Sequence, residues 1–290
     1  MSDRKNVTRW DKLDKEPTIE YNFKEFISRG LMMRQYTDLV FDLYGTLVDI
    51  HTDENDLVWE KTALFFGYYG ANYTGNTLRQ AFCDEMIRRE AMAGQSYECF
   101  PDIPFEDVME ELFKAKGIMD NSHLLGIQAA QLFRITSTEY LCLYPNVIDV
   151  LQKLKRSGFR LWLLSNAQQI FTAYELKHLG LENLFDGIYL SSDYGCRKPD
   201  SRFFRVLLQE NNLDPASCLM IGNDRMTDIA GAKASGMATL YMHTGLTPQE
   251  QTAADPTLHP LSACDTCHWE YEGSNWLELG EILLSQKANN

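Results

Sequence analysis

The chain has 290 residues, enough for one large domain or two smaller ones, and its 44% hydrophobic and 23% charged residues are ordinary for a globular protein. Its formal net charge of −14 argues against a nucleic-acid partner, because phosphate backbones require clustered Lys and Arg. No apolar run approaches the roughly 20 residues of a membrane span. The segment from Met1 to Thr18 is polar and charged, unlike a secretory signal. We therefore expect a cytoplasmic protein without a membrane partner.

The cysteine pattern favours reduced thiols. Seven cysteines, an odd number in a large chain, do not indicate a disulfide framework. Cys264, Cys267 and His268 have the Cys-x-x-Cys-His spacing that can attach haem or contribute to a zinc site. A zinc site would need a second ligand pair at suitable spacing, and the sequence offers none. We therefore expect neither a metal nor haem at this segment.

The first strong structural signal lies near residue 40. Residues 1–34 are a polar extension, expected to pack on the core with a short helix near residues 23–29. The apolar run that ends at Phe41 predicts a buried strand, and Gly45 predicts a turn directly after it. Asp42 lies at this junction, where open α/β sheets place their ligands. It is our first candidate for a reacting group.

Helical periodicity dominates residues 50–143. Leu78, Phe82 and Met86 repeat at four residues, and apolar residues within 105–112 and 125–133 repeat at three and four. Residues 54–66 form a further segment that is rich in Leu and aromatic residues. The pattern predicts about four helices in a bundle. Their position between the first strand and the next one indicates an inserted helical domain.

Strands and helices alternate after residue 144. Strands are predicted near residues 159–164, 187–190, 218–221 and 238–242, with helices of about ten residues between them, and an edge strand near residues 268–271. This alternation indicates βαβ units and a parallel sheet. We therefore predict an α/β fold with a Rossmann-like, doubly wound core formed by residues 35–49 and 144–290.

Residues that can carry chemistry follow four of the predicted strands. The four motifs, in chain order, are Asp42-Leu43-Tyr44-Gly45-Thr46, Leu163-Leu164-Ser165-Asn166, Gly195-Cys196-Arg197-Lys198-Pro199-Asp200 and Ile221-Gly222-Asn223-Asp224-Arg225-Met226-Thr227-Asp228. Each residue also has an ordinary alternative. An aspartate such as Asp42 can cap a turn, a lysine such as Lys198 can be a solvated surface charge, and acids such as Asp224 suit a helix N-terminus.

The four motifs in this order resemble those of the haloacid dehalogenase superfamily of hydrolases that carry a helical cap. The resemblance implies that Asp42 is a covalent nucleophile supported by Thr46. It also implies that Ser165, Asn166 and Lys198 bind an anionic substrate. Residues 50–143 would then be the cap.

The resemblance further implies a site for Mg²⁺ (magnesium). In the superfamily, the backbone carbonyl two residues after the nucleophile binds this ion, and Tyr44 can supply it. Asp224 and Asp228, four residues apart as a helix begins, can both face the strand ends, and oxygen ligands suit a hard cation. The predicted ligands are Asp42, Tyr44, Asn223, Asp224 and Asp228, with the choice between Asn223 and Asp224 left open.

Tyr44 departs from the phosphatase pattern. Phosphatase members have an aspartate there that acts as a general acid and base, whereas tyrosine, with a pKa of about 10, can donate a proton but is a poor base. The Asp-x-Tyr-Gly-Thr form resembles that of 2-haloacid dehalogenases, which need neither the acid nor a metal. Those enzymes bind the substrate carboxylate with a cap arginine. Arg79, Arg88 and Arg89 lie in the predicted cap, where a solvated helix face is the favoured interpretation.

The sequence thus favours a Mg²⁺-dependent phosphatase acting on a small phosphorylated metabolite through an aspartyl intermediate. A buried acidic pair costs energy unless a cation compensates it, which favours the metal-dependent reaction. Two alternatives stay open: a metal-independent 2-haloacid dehalogenase, and a catalytically weak protein that binds a phosphorylated ligand. The predicted catalytic residues are Asp42, Tyr44, Thr46, Ser165 and Lys198.

Overall fold

A computed structural model describes residues 36–93, 100–246 and 269–285 of the chain. The predictions for residues 1–34 and for Cys264, Cys267 and His268 lie outside the described residues. Within the described ranges, no helix is both long enough and apolar enough to cross a membrane.

The core is a six-stranded sheet in which every neighbouring pair of strands is parallel. Its order is β5-β4-β1-β6-β7-β8. The strands are β1 (Asp38–Phe41), β4 (Arg160–Ser165), β5 (Gly187–Leu190), β6 (Cys218–Gly222), β7 (Ala238–His243) and β8 (Trp269–Glu272). The central position of β1 follows from its composition, because a strand buried on both faces is a continuous apolar run. The predicted α/β fold with a Rossmann-like parallel sheet is confirmed.

Helices cover both faces of this sheet. The helices of the described residues are α1 (Asp56–Tyr68), α2 (Gly75–Met92), α3 (Phe105–Lys114), α4 (Ser122–Ser137), α5 (Val147–Arg156), α6 (Gln169–His178), α7 (Ser191–Tyr194), α8 (Ser201–Glu210), α9 (Ala230–Ala234) and α10 (Trp276–Ser285). Successive side chains of a strand point to opposite faces of the sheet. Val40 belongs to the apolar cluster that contains Phe203 and Phe204 of α8. On the other face, the ring centroids of Phe41 and Trp276 of α10 are 6.0 Å apart.

Helices α1 to α4 form what we call the helical block. Its interior is a cluster of apolar side chains built around aromatic rings. Phe66 and Phe113 stack with their ring centroids 3.9 Å apart, and Trp59 lies 4.7 Å from Phe133. Thr74 begins α2 with a capping box shared with Thr77. The helices lie where the apolar periodicity predicts them.

A two-stranded antiparallel sheet joins the helical block to the core. It consists of β2 (Val48–Thr52), which leads into the block, and β3 (Thr138–Leu143), which leads out of it. Sequence periodicity did not predict this sheet and assigned residues 50–143 to helical structure alone. The reason is that the small sheet is exposed. Its two strands form a separate sheet, and β3 has no buried residue. The sequence of β3 therefore lacks the alternation of apolar and polar residues that predicts a strand.

Candidate active site

The turn after β1 holds Asp42 beside the end of β6. The backbone N–H of Asp42 donates to the carbonyl of Ile221 at 3.0 Å, which fixes the residue at the strand ends. Gly45 has a φ of +80°, and a Cβ atom there would lie 2.2 Å from the side-chain nitrogen of Asn223. Only glycine permits both the backbone conformation and the close approach. Thr46 donates a long hydrogen bond of 3.4 Å to Asp42.

Lys198 is the centre of the buried charges. Its ammonium group donates to Asp42 Oδ1 at 2.7 Å, to Asp228 Oδ1 at 2.6 Å and to the carbonyl of Leu164 at 2.8 Å. These three bonds use the three hydrogens of the group. Lys198 and Asp228 are each 1% exposed, so the arrangement is shielded from water. Such complete pairing is what allows a lysine to be buried in charged form.

The charges in this cluster shift one another's proton affinity. Burial disfavours the charged form of Lys198, but the adjacent Asp228 and Asp42 carboxylates outweigh that effect and raise its pKa. Burial also raises the pKa of Asp228, and the charge of Asp42 adds to the increase while Lys198 opposes it. Gly222 makes room for Asp228, because a Cβ atom at Gly222 would lie 2.3 Å from Asp228 Oδ2.

Ser165 is the last residue of β4, and Asn166 begins the loop that follows it. The Ser165 hydroxyl donates to Asp42 Oδ1 at 3.4 Å. The Asn166 side chain bonds the backbone of Lys198 twice: its nitrogen donates to the Lys198 carbonyl at 2.9 Å, and its oxygen accepts from the Lys198 N–H at 2.7 Å. Asn166 therefore fixes the loop that carries Lys198.

Asp224 begins the helical turn that carries Asp228. Its side chain accepts from the N–H groups of Met226 and Thr227, and its own N–H donates to Asp228 Oδ2 at 3.0 Å. The turn is π-helical over Arg225–Ile229 and continues into α9, so helical structure begins directly after Asp224. Capping by the Asp224 side chain explains why it begins there.

These residues surround a cavity of about 200 Å³, which we call the strand-end cavity. It is lined by Asp42, Tyr44, Ser165, Asn166, Lys198, Asn223, Asp224, Thr227, Asp228 and Leu246. Of the nine predicted site residues, only Thr46 is absent from this lining, and it contacts Asp42 from behind. Thr227 and Leu246 were not predicted.

The charge of the cavity suits a divalent cation. Three carboxylates line it against a single cationic side chain, Lys198, among the described lining residues. The unbalanced acids and the neighbouring Asn223 offer oxygen atoms, which are the ligands that Mg²⁺ prefers. Both oxygens of Asp228 already accept hydrogen bonds, from Lys198 and from the Asp224 N–H. Asp42 Oδ2, by contrast, accepts only the long bond of 3.4 Å from Thr46 among the described contacts, so this oxygen is better placed to be offered to an ion.

Tyr44 turns its hydroxyl group toward α6. The hydroxyl donates to Glu175 Oε2 at 2.5 Å and lies 2.9 Å from Thr172 Oγ1. Burial, with the neighbouring Glu175 charge, raises the pKa of Tyr44 far above its ordinary value. Arg134 of α4 holds Glu175 with two hydrogen bonds. Through Glu175 and Arg134, Tyr44 thus connects the turn after β1 with α6 of the core and α4 of the helical block.

The arginines named from the sequence lie elsewhere. Arg79 pairs with the exposed Asp56, and Arg88 and Arg89 both pair with Glu85 on their own helix. Arg134 of the helical block, which was not singled out from the sequence, contacts the partner of Tyr44, Glu175. It lies in a helix of mixed apolar and polar residues, and no motif marks it.

A family model of haloacid dehalogenase-like hydrolases matches residues 39–236, more than half of the chain. The chain belongs to this hydrolase family, which confirms the resemblance inferred from the four motifs. The matched range contains all of the predicted site residues, which extend from Asp42 to Asp228.

Particular relatives add detail. Glyceraldehyde 3-phosphate phosphatase of Methanothermobacter thermautotrophicus is 33% identical over 37% of this chain and 48% of that enzyme. Phosphoglycolate phosphatase of Psychrobacter arcticus is 28% identical over 71% of this chain and 83% of that enzyme. The chain spans about half the length of the first curated relatives it matches.

Among solved structures, 2-haloacid dehalogenase of Pseudomonas syringae pv. Tomato DC3000 aligns with a TM-score of 0.59. Its sequence identity is 19%, and the alignment covers 87% of this chain and 99% of that one. The similarity is one of fold.

Proposed function

We propose that the protein is a Mg²⁺-dependent phosphatase that acts on a small phosphorylated metabolite through an aspartyl-phosphate intermediate. The observation that carries the proposal is the buried contact between Asp42 and Lys198 at the wall of a cavity of about 200 Å³. A carboxylate beside a fixed cation can attack phosphorus while the cation holds the anionic group. Ligand pockets are commonly larger, about 300–1,000 Å³, so the cavity favours a small substrate.

Each residue has a defined part in this proposal. Asp42 is the nucleophile, and Lys198 and Ser165 hold the phosphoryl oxygens. Asn166 keeps Lys198 in place through its two backbone hydrogen bonds. Thr46 stabilises the position of Asp42 by donating a hydrogen bond to its carboxylate. Phosphoryl transfer depends mainly on positioning and charge stabilisation, which is what a fixed set of this kind supplies.

The metal would be held by Asp42, the Tyr44 carbonyl, Asn223 and Asp224, with Asp228 beside them. Bound there, Mg²⁺ would neutralise charge on the transferring phosphoryl group. The surplus of carboxylates over cationic side chains around the cavity supports this part of the proposal.

The helical block, within residues 50–143, is proposed to act as a cap that excludes water from the cavity. Its contacts with the site loops support this role. The carbonyl of Phe100 accepts from the N–H of Arg197 at 2.9 Å, next to Lys198, and the Gln168 side chain donates to Asp102 at 2.9 Å. The names of the phosphatase relatives support the reaction class. A cytoplasmic location stays a prediction.

The test is turnover of 4-nitrophenyl phosphate, and of the smaller acetyl phosphate, with Mg²⁺ or with EDTA. We expect hydrolysis that requires the metal. In Asp42→Asn, kcat should fall by about 10⁴-fold or more, which is the size of effect seen when a covalent nucleophile is removed. The matched control is Asp49→Asn, because Asp49 bonds only the exposed Tyr140 among the described contacts. Turnover of either compound that persists in EDTA would refute the metal-dependent mechanism.

A second candidate, hydrolysis of a carbon–halogen bond, is favoured by one observation. The Tyr44 hydroxyl is held by Glu175, and a departing halide requires no proton. Release of chloride from 2-chloropropionate in EDTA would support this candidate, and its absence with several haloacids would end it.

A further inference from the structure

The side chain of Tyr44 lines the strand-end cavity, yet its hydroxyl group is occupied elsewhere. A tyrosine hydroxyl carries one hydrogen, and this one is donated to Glu175 Oε2 at 2.5 Å. The hydroxyl of Thr172, 2.9 Å away, must then be the donor in its contact with Tyr44. No hydrogen of Tyr44 is left to point at a ligand beside Asp42.

Arg134 fixes Glu175 in the position that accepts this bond. Its guanidinium donates to Glu175 Oε1 at 2.6 Å and to Oε2 at 3.1 Å, so the pair is bidentate. The guanidinium carbon also lies 5.4 Å from the centre of the Tyr44 ring. Glu175 is buried, and the two charges neutralise each other away from water. The arrangement is specific in geometry and not a loose surface contact.

We propose that Arg134 and Glu175 are positioning residues that keep the Tyr44 hydroxyl from the leaving group, so that the site favours phosphate compounds whose leaving group departs as a stable anion. Acyl phosphates are one such class. The inference rests on the proposed phosphatase function and deepens it by naming the substrate class.

The reaction balances without a proton from Tyr44. An oxygen of Asp42 attacks phosphorus, the bond from phosphorus to the leaving oxygen breaks, and its electron pair departs on that oxygen as an anion. Water then attacks phosphorus of the aspartyl phosphate. This step releases inorganic phosphate, returns the Asp42 carboxylate and gives one proton to solvent. When the leaving group is unstable as an anion, a site without a proton donor lacks the rate enhancement of about 10²–10⁴-fold that general acid catalysis supplies.

Two substrates of equal size test the proposal: acetyl phosphate, whose leaving group is a stable anion, and isopropyl phosphate, whose leaving group is not. We expect kcat/KM for acetyl phosphate to exceed that for isopropyl phosphate by at least about 10²-fold. Tyr44→Phe should keep this ratio within about threefold, because the hydroxyl takes no part. A Tyr44→Phe variant that loses isopropyl phosphate turnover selectively, by about tenfold or more, would overturn the proposal.

The role of Arg134 and Glu175 is tested by releasing the hydroxyl. Arg134→Met combined with Glu175→Leu removes both charges together, so neither is left buried and alone. We expect the acetyl-to-isopropyl ratio to fall by about threefold or more, and adding Tyr44→Phe to restore it. An unchanged ratio in a variant that is folded by circular dichroism would overturn the positioning role. Should that pair fail to fold, Glu175→Met keeps a side chain of similar length, removes both acceptor oxygens and must shift the ratio in the same direction.

The matched control is Arg79→Met with Asp56→Leu, an exposed pair in the helical block that should leave the ratio unchanged. Failure of the inference and failure of the proposed function give different results. If the wild-type protein hydrolyses neither phosphate, both fall. If it hydrolyses both at similar rates, the phosphatase function stands and the selectivity by leaving group is refuted.

Discussion

The charge cluster at the strand-end cavity and the interior of the helical block are both built from buried side chains, but the chemistry of those side chains differs. Around the cavity, Lys198 is buried between the carboxylates of Asp42 and Asp228. Inside the block, Phe66 stacks on Phe113 and apolar neighbours surround the two rings. One region keeps charges that cost energy to bury, whereas the other gains stability from every apolar group that it removes from water.

The side chains of the two regions indicate different roles, chemistry at the strand-end cavity and packing in the helical block. Buried charges are weak evidence for stability, because a well-packed apolar pair of similar volume is often as stable. Their retention at the ends of β1 and β6 therefore indicates chemistry. Aromatic stacking in the block indicates packing, since these rings bring large apolar area and no reactive group. Substitutions in the two regions should therefore separate activity from stability.

The largest effect is expected from Lys198→Met. It leaves Asp42 and Asp228 facing each other without a cation, and breaking a buried pair in this way costs about 3–5 kcal/mol of unfolding free energy. Turnover should fall by about 10²-fold or more, because the charge that is proposed to hold the phosphoryl group is gone. Urea denaturation in EDTA and phosphate release measure the two effects.

Adding Asp228→Asn to Lys198→Met should return much of the stability and none of the activity, because it removes the excess charge without restoring a cation. Lys153→Met is the matched control. Lys153 pairs with Glu281 on the surface, and its loss should change stability by about 1 kcal/mol or less. A Lys198→Met protein as stable as wild type would contradict the prediction that Lys198 compensates the buried charges of Asp42 and Asp228.

The next effect is expected in the helical block. Phe113 is fully buried, and Phe113→Ala should lower the unfolding free energy by about 3–5 kcal/mol through lost burial and a cavity. Turnover by the folded fraction should stay within about threefold of wild type, since the ring does not line the strand-end cavity. Tyr68→Ala, at an 84% exposed position of the same block, should change stability by about 0.5 kcal/mol or less. A folded Phe113→Ala protein without activity would contradict the separation of roles.

Much of the architecture could be predicted from the sequence because the core strands are apolar runs with breaks on both sides. β1, β4, β5, β6 and β7 occur where those runs lie. The site residues follow them directly, and the carboxyl ends of neighbouring parallel strands meet at one edge. Linear motifs could therefore identify residues that are far apart in the sequence, such as Asp42 and Lys198, whose side chains lie 2.7 Å apart.

The partners of Tyr44 could not be predicted in this way. Arg134 and Glu175 lie within helices, 41 positions apart, and neither belongs to a motif. Their contact depends on how α4 packs against α6, which helical periodicity does not specify. The two strands β2 and β3 escaped prediction for a related reason, because they bury little apolar surface and their pairing is not local.

The smallest effect is expected where the segment before α3 meets the core. Asp102 is buried and accepts hydrogen bonds from Gln168 and Ser191. Burial raises the pKa of its carboxyl group. The negative charge of Glu90 adds to this increase, and the positive charge of Arg197 opposes it. Asp102→Asn keeps an acceptor for Gln168 but weakens this network, at a cost of about 0.5–1.5 kcal/mol, the size of one hydrogen bond.

The cost of Asp102→Asn should depend on pH in a defined direction. Between the ordinary pKa of an aspartate, about 3.9, and the raised value in the folded protein, the native state binds more protons than the unfolded state. The contribution of Asp102 to stability is therefore greatest below that range and falls as pH rises through the folded pKa. The variant lacks this titration, so its deficit relative to wild type should shrink between about pH 4 and about pH 8. Urea denaturation at both values measures the change. A deficit that grew with pH would show that the ionised carboxylate, and not the protonated one, stabilises the contact of Asp102 with Gln168 and Ser191.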